Sequence, residues 1–166
     1  MNTIFTRRSI REFENRAVEQ EKIDKILRAG MQAPSARNRQ PWQFIVVTDK
    51  KIKEDVLKFS PYAGVAANAG AIIIILGEFA DVPGGAFVQQ DVGACTQNIL
   101  LQIVEEGLGG LWIGCYPNQE RADYLIEYFN LPENIIPVTV VAAGYSEQKN
   151  EFVDRYNPDK IHYNNY

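Results

Sequence analysis

The chain has 166 residues and a mass of 18.8 kDa, room for one full hydrophobic core and not for two. Hydrophobic residues at 46% and charged residues at 23% are the ordinary balance of a globular domain. Seventeen basic against twenty-one acidic residues leave a formal charge of -4, which sets nucleic acid aside as the main partner, because a polyanion binder carries a basic excess or stripe.

In chain order, Asn2 or Thr3 can cap a short helix running to about Arg8. Glu19 to Gln32 carries Ile23, Ile26, Leu27 and Met31 on one face and predicts an amphipathic helix that stops before Ala33-Pro34-Ser35, where proline breaks it. Asn38 to Pro41 reads as loop, Trp42 to Thr48 as a buried strand, and Lys50 to Phe59 as helix. Ile72 to Leu76 is a run of large aliphatics, four of them β-branched, and predicts a central strand. Gln89 to Glu106 is the strongest helical pattern, so apolar on more than one side that it forms the domain core or crosses a subunit interface. Gly107 ends it. Leu111 to Ile113 then reads as strand, Gln119 to Phe129 as helix, and Ile136 to Ala143 as the last main strand, with Pro137 at its start, where a missing N–H is tolerable. The alternation predicts a layered α/β or α+β domain. The tail from Ser146 to Tyr166 is polar, aromatic and weakly periodic, suited to packing across a partner subunit or to solvent.

No basic segment followed by an apolar stretch opens the chain, and the most apolar run, Ala69 to Leu76, is under half of the roughly 20 residues a membrane span needs. A cytoplasmic location without membrane partners is the expectation. Cys95 and Cys115 form no CxxC, and with His162 the only histidine a Cys/His zinc cluster is excluded. Both cysteines sit among apolar residues and are expected as buried free thiols.

There is no glycine-rich loop of the two common nucleotide-binding types, since Gly107, Gly109 and Gly110 follow a helix with no strand leading in. HExxH, GxSxG and a histidine placed for a triad are absent. Acid–base hydrolysis would have to lean on Asp91, Glu105 or Glu106, and the last two read as the solvent end of a helix. Such an inventory, poor in nucleophiles and bases, points to chemistry carried by a cofactor.

Two segments are dense in binding chemistry. Arg7-Arg8-Ser9-Ile10-Arg11 brings three forks of N–H donors and a hydroxyl into five residues, which suits a phosphate ester on a defined site. The same residues at a helix end could simply meet the helix dipole and point into water. Ala33 through Phe44 offers two prolines, Ser35, Asn38 and Gln40 before an aromatic entry to a strand; it can hold a flat, polar-edged ring, or be a turn made of turn residues. Glycines flanking Leu111-Trp112-Ile113 permit close approach of a ligand to backbone, with Gly107 as a helix C-cap and the others serving packing as the competing account.

These segments, with Asp91-Val92-Gly93-Ala94, Gln97-Asn98, Gly107 through Gly114, and Gly144-Tyr145 followed by Arg155, resemble the nitroreductase family of FMN-dependent flavoproteins over nearly the whole chain. The resemblance implies an α+β fold with a mainly antiparallel sheet flanked by helices, in an intertwined homodimer with FMN at the interface. It implies that Arg7, Arg8, Ser9 and Arg11 bind the ribityl phosphate and adjoining ring edge, and that Pro34, Ser35 and Asn38 line the isoalloxazine with Gln40 nearby. Asn68 would touch the ring, Trp112, Ile113 and Gly114 would pass over it near N5, and Arg155 would return from the tail to the phosphate. The implied activity is ping-pong transfer of hydride from NAD(P)H through the flavin to a nitroaromatic, a quinone or a similar small acceptor. Two departures stand out. Gly114-Cys115 falls where the family often has a glutamate, and only Asp81-Val82-Pro83-Gly84-Gly85 stands between Phe79 and Phe87 where longer members carry a helical cover. They keep a second expectation open: a protein that binds, senses or degrades flavin without turning over nicotinamide.

Overall fold

The computed structural model describes residues 2–79 and 87–166; the short connection at 81–85 lies outside the described residues. A four-residue helix, α1 (Thr3–Thr6), opens the chain. It ends earlier than the sequence pattern suggested, because Arg7 is already extended (φ -52, ψ 129). α2 (Gln20–Met31) follows, then β1 (Trp42–Val47) and α3 (Lys50–Val56). The expected helix to Phe59 tightens into a 3-10 turn at Leu57–Phe59. A further 3-10 turn spans Ala63–Ala66. β2 (Ala71–Glu78), α4 (Val88–Glu105), β3 (Gly109–Gly114), α5 (Gln119–Phe129) and β4 (Ile135–Gly144) complete the domain.

The sheet order is β1-β2-β4-β3 and every pair is antiparallel, so β3 is an edge strand. The aliphatic run in β2 has a simple cause: its side chains alternate between two cores, because helices cover both faces. Ile72, Ile74 and Leu76 join Leu111, Ile113, Val140 and Ala142 against α3, the 3-10 turns and α5. Ile73 and Ile75 face α2 and α4 through Ile26, Cys95, Ile99 and Ile103. A register shift opposite Ile75/Leu76 absorbs Pro137, whose missing N–H could not serve a regular ladder. α4 is a core helix. The two hydroxyls it brings face to face, Thr96 and Thr139, bond each other at 2.9 Å, which removes the cost of burying them.

Gly107 (φ 75) is the left-handed residue just past α4, and glycine takes that conformation without the penalty a Cβ imposes. After β4 the chain changes character. Asn150 is the last partly buried residue, and 151–166 are exposed throughout. Among the described residues no helix is long and apolar enough to cross a membrane.

Candidate functional site

The arginine pentad is not one site: Ser9 and Ile10 face an open cleft with Glu147, Gln148 and Glu151, and the arginines at either end enter two others. Its centre is pinned: Ser9 pairs with Gly110 in a parallel bridge, the Ile10 N–H donates to the Gly110 carbonyl at 3.0 Å, and the Ile10 side chain is buried. A Cβ on Gly109 would lie 2.7 to 2.9 Å from Ile10 atoms. Gly109 therefore serves packing, as does Gly110, whose Cβ would meet Leu100 at 3.0 Å; of the three glycines within β3, Gly114 alone faces open space.

On one side of this plug Arg7 and Arg8 enter a cleft of about 320 Å³ with Arg155, Asp154, Phe5 and Phe152. The tail reaches it because Asn150 accepts the Arg8 N–H at 2.9 Å and donates to the Leu108 carbonyl at 3.2 Å, and because Phe152 packs on Phe5 with ring centroids 6.1 Å apart. Partial burial, then Arg155 and Arg8, depress the Arg7 pKa: like charges are crowded there. Asp154 does not neutralise them; its Oδ1 accepts the Tyr156 N–H, and no ion pair joins it to an arginine among the described residues. Arg8 Nη1 donates to the Arg7 carbonyl, while Nη2 is buried with no partner at all. A buried guanidinium nitrogen without an acceptor is costly, and guanidinium forks match phosphate oxygens. The residues fit a phosphate ester.

On the other side Arg11 lines a cleft of about 560 Å³ with Trp112, Ile113, Gly114, Tyr62 and Arg121. Ile113 is buried in the core and offers the cleft little beyond backbone. Trp112 and Gly114 face outward. The Gly110 carbonyl points to the free edge of β3, where it meets Ile10, and the Gly114 carbonyl does too, where Arg121 Nη1 donates to it at 2.8 Å. Strand alternation then turns the N–H groups of Trp112 and Gly114 to that same edge. A Cβ on Gly114 would meet nothing within 4 Å. The cleft thus combines a cation, outward backbone donors and an open approach, a set of donors that fits the polar edge of a flat ring.

The loop before β1 stands apart from both clefts. Ser35 Oγ accepts the Gln40 N–H at 2.9 Å, Gln40 Nε2 donates to Asn38 Oδ1 at 3.0 Å, and Asp91 on α4 accepts the Ala36 N–H at 3.0 Å. Asp91, weighed above as an acid–base group, is thereby the loop's anchor. Arg37, Asn38 and Gln40 all have left-handed backbones (φ 57, 54 and 51), a conformation asparagine accepts readily but one that costs Arg37 and Gln40 roughly 1–2 kcal/mol each. Pro34, Asn38 and Gln40 are exposed, and Ser35 is half-buried. Asn68 is exposed as well and lines neither cleft; the same turn enters the larger one through Tyr62, Gly64 and Val65. Tyr145 is a brace: its hydroxyl donates to Glu19 at 2.7 Å, holding that carboxyl below its usual range, and Arg16 stacks 3.6 Å over its ring.

Tyr62 and Arg121 are the cleft residues that motif reading passed over. Neither belongs to a dense segment; one is a turn residue and the other a polar residue in the first turn of α5, and only the folded chain brings them beside Trp112. Both cysteines are free and buried, and desolvation pushes each thiol up to about 12. Both are the buried free thiols the sequence leads one to expect, and a thiol held protonated is a poor nucleophile. No cluster of three or more metal-ligating side chains occurs among the described residues.

An antiparallel α+β domain with helices on both sheet faces carries a guanidinium cleft and an open strand edge, donors of the kind that fit a phosphorylated ring compound. The model of the nitroreductase family matches residues 4–64 and 60–145, and the chain belongs to that family. A candidate NADH dehydrogenase/NAD(P)H nitroreductase of Archaeoglobus fulgidus is 41% identical over 167 residues, covering 98% of this chain and 95% of that protein. The crystal structure of a candidate NADH oxidase from Clostridium acetobutylicum superposes with a TM-score of 0.95 at 41% identity, covering 99% of this chain and 100% of that one. A candidate NADH dehydrogenase/NAD(P)H nitroreductase from Bacteroides thetaiotaomicron gives 0.92 at 40% identity, covering 99% and 96%. Relatives of equal length carry the same fold, so this chain is a short member of the family. Membership supports FMN-dependent oxidoreductase chemistry with NAD(P)H.

Proposed function

We propose that the protein is a cytoplasmic, homodimeric oxidoreductase that binds FMN and passes electrons from NAD(P)H to a small acceptor such as a nitroaromatic or a quinone. The observation that carries this reading is the cleft of Arg7, Arg8 and Arg155 with its unpartnered Arg8 Nη2, joined through the pentad to the open edge of β3. A phosphate ester brings nearly two negative charges and three acceptors to a cleft that crowds these guanidinium groups. Arg11 meets the ring edge, where its charge favours the electron-rich reduced form. The outward N–H groups of Trp112 and Gly114 orient the ring's polar atoms. When bound, FMN supplies hydride acceptance and return at N5, so the chain needs no catalytic base of its own.

A second copy accounts for what one copy leaves over. The strained loop through Pro34, Ser35, Asn38 and Gln40 is built with three left-handed residues, yet it lines neither cleft of its own chain. Strain of this kind gathers at ligand clamps, and the loop is suited to a site shared with the partner. The exposed tail supplies Phe152, Tyr156 and Tyr163, aromatic anchors of the type interfaces use.

The test is anaerobic mixing of the FMN-loaded protein with NADH and with NADPH, followed by a panel of acceptors. Bleaching of the flavin band by at least one nucleotide, and its recovery with an acceptor, is the expected result. Flavin uptake without bleaching by either nucleotide would identify a flavin-holding protein instead. A protein that takes up no FMN would overturn both readings.

A further inference from the structure

Arg121 has no role in the cofactor reading above. It stands in the larger cleft, half-buried, with Nη1 on the Gly114 carbonyl and the guanidinium 5.7 Å from the centre of the Tyr62 ring. Neither it nor Arg11 forms an ion pair among the described residues, and no carboxylate lines the cleft. The two cations are anchored at opposite ends of β3: Arg11 follows Ile10, which is bonded to Gly110, and Arg121 is bonded to Gly114. Four residues of strand separate those anchors, about 13 Å at the usual rise. Between them in the strand stands Trp112, 39% exposed, and Tyr62, 73% exposed, lines the same cleft.

Arg11 belongs to the segment that carries the phosphate-binding arginines. Arg121 comes from α5, with free N–H groups left after its single backbone bond, since a guanidinium has five donors. Its surroundings are two exposed rings and Val65, which favour a flat aromatic body. We propose that Arg121, backed by Tyr62, is the specificity-determining cation of the acceptor site and selects planar aromatic acceptors that carry a carboxylate. The proposal rests on the flavin reductase reading and adds to it the charge of the acceptor.

The test is equilibrium binding to the FMN-loaded, oxidised protein without reductant, so that nothing turns over. The probes are 4-nitrobenzoate and its neutral counterpart 4-nitrobenzamide, followed by quenching of tryptophan fluorescence and by the flavin difference spectrum. Arg121→Gln is expected to weaken nitrobenzoate binding about 10-fold or more, the usual consequence of losing a charge-assisted contact, and to leave nitrobenzamide within about 2-fold. In the unmodified protein, raising salt to about 0.3 M should weaken nitrobenzoate alone, because partly exposed charges are screened; this arm does not depend on a variant that folds. Equal loss for both probes would make Arg121 a structural clamp on Gly114 and overturn the proposal. No change for either probe, or no salt effect, would overturn it too, while FMN uptake and bleaching by nicotinamide would leave the reductase reading standing. Failure to take up FMN overturns both.

Discussion

Arg8 shows how a single side chain can be informative by being badly satisfied. Its Nη2 is buried without an acceptor, and its neighbours Arg7 and Arg155 crowd it with like charge. Alone, that cluster opposes the fold; with a dianion it supports it. Arg8→Ala or Arg155→Ala should therefore weaken FMN binding roughly 10- to 100-fold, the equivalent of one charge-assisted contact, as read by flavin fluorescence titration. Inorganic phosphate should compete with FMN less well in those variants. Arg11→Ala should also lower FMN affinity, yet leave the hydride step of fully loaded protein largely intact in stopped-flow; unchanged affinity would remove Arg11 from the site. The cysteines make the opposite prediction. With thiols raised to about 12, only about one in ten thousand is thiolate at pH 8. Ellman's reagent should find neither in the native protein and both in urea. Rapid native labelling of Cys115 would contradict its burial.

Among the elements, β3 ties the fold to the site most directly. Its two ends call for opposite outcomes from the same substitution. Gly109→Ala drives a Cβ into Ile10, a stiff β-branched side chain that is fully buried, so about 1–3 kcal/mol of stability should be lost in urea unfolding. FMN affinity should fall with it, because Ile10 is the plug between the two arginine clefts. Gly114→Ala meets nothing and should leave stability within about 0.5 kcal/mol while weakening FMN, since the new methyl occupies ligand space. Equal behaviour of the two variants would mean that β3 is not the floor of the site. The elements themselves were legible from periodicity, with ends shifted by a few residues at most, because each helix and strand carries its own hydrophobic pattern. Their pairing was not. Nothing local says that β4 lies between β2 and β3, or that Lys53 on a surface helix turns inward to donate to the Ala69 carbonyl, its pKa depressed by that burial. Nor does any local pattern divide the pentad in two; that follows from where Ile10 is buried.

For the whole molecule, the tail and the strained loop are the features through which the proposed dimer is tested. Deleting residues 151–166 removes Phe152, Tyr156, Ile161 and Tyr163, all exposed, and takes nothing from either core. The shortened chain should keep its fold by circular dichroism and run as a monomer in sedimentation at micromolar concentration, with FMN affinity reduced because Arg155 is gone. Arg155→Ala in the full chain separates the two effects: FMN affinity should fall while the proposed dimer persists. A truncated protein that stays dimeric would assign dimerisation to another surface. The sequence carried the family through motifs distributed along the chain, whereas Tyr62 and Arg121 became visible only in three dimensions, since their significance is their position beside Trp112. The capped edge of β3 also bears on how the protein behaves at high concentration. An exposed sheet edge is a template on which another chain can add a strand, and a flavoprotein short of cofactor would leave its edge bare. Here Ile10 occupies one end and Arg121 the other, so the free stretch is Leu111 to Ile113, no longer than the briefest strand. A gap that short should suit a ring better than a polypeptide, so the β3 edge is expected to resist edge-to-edge pairing even before flavin is bound.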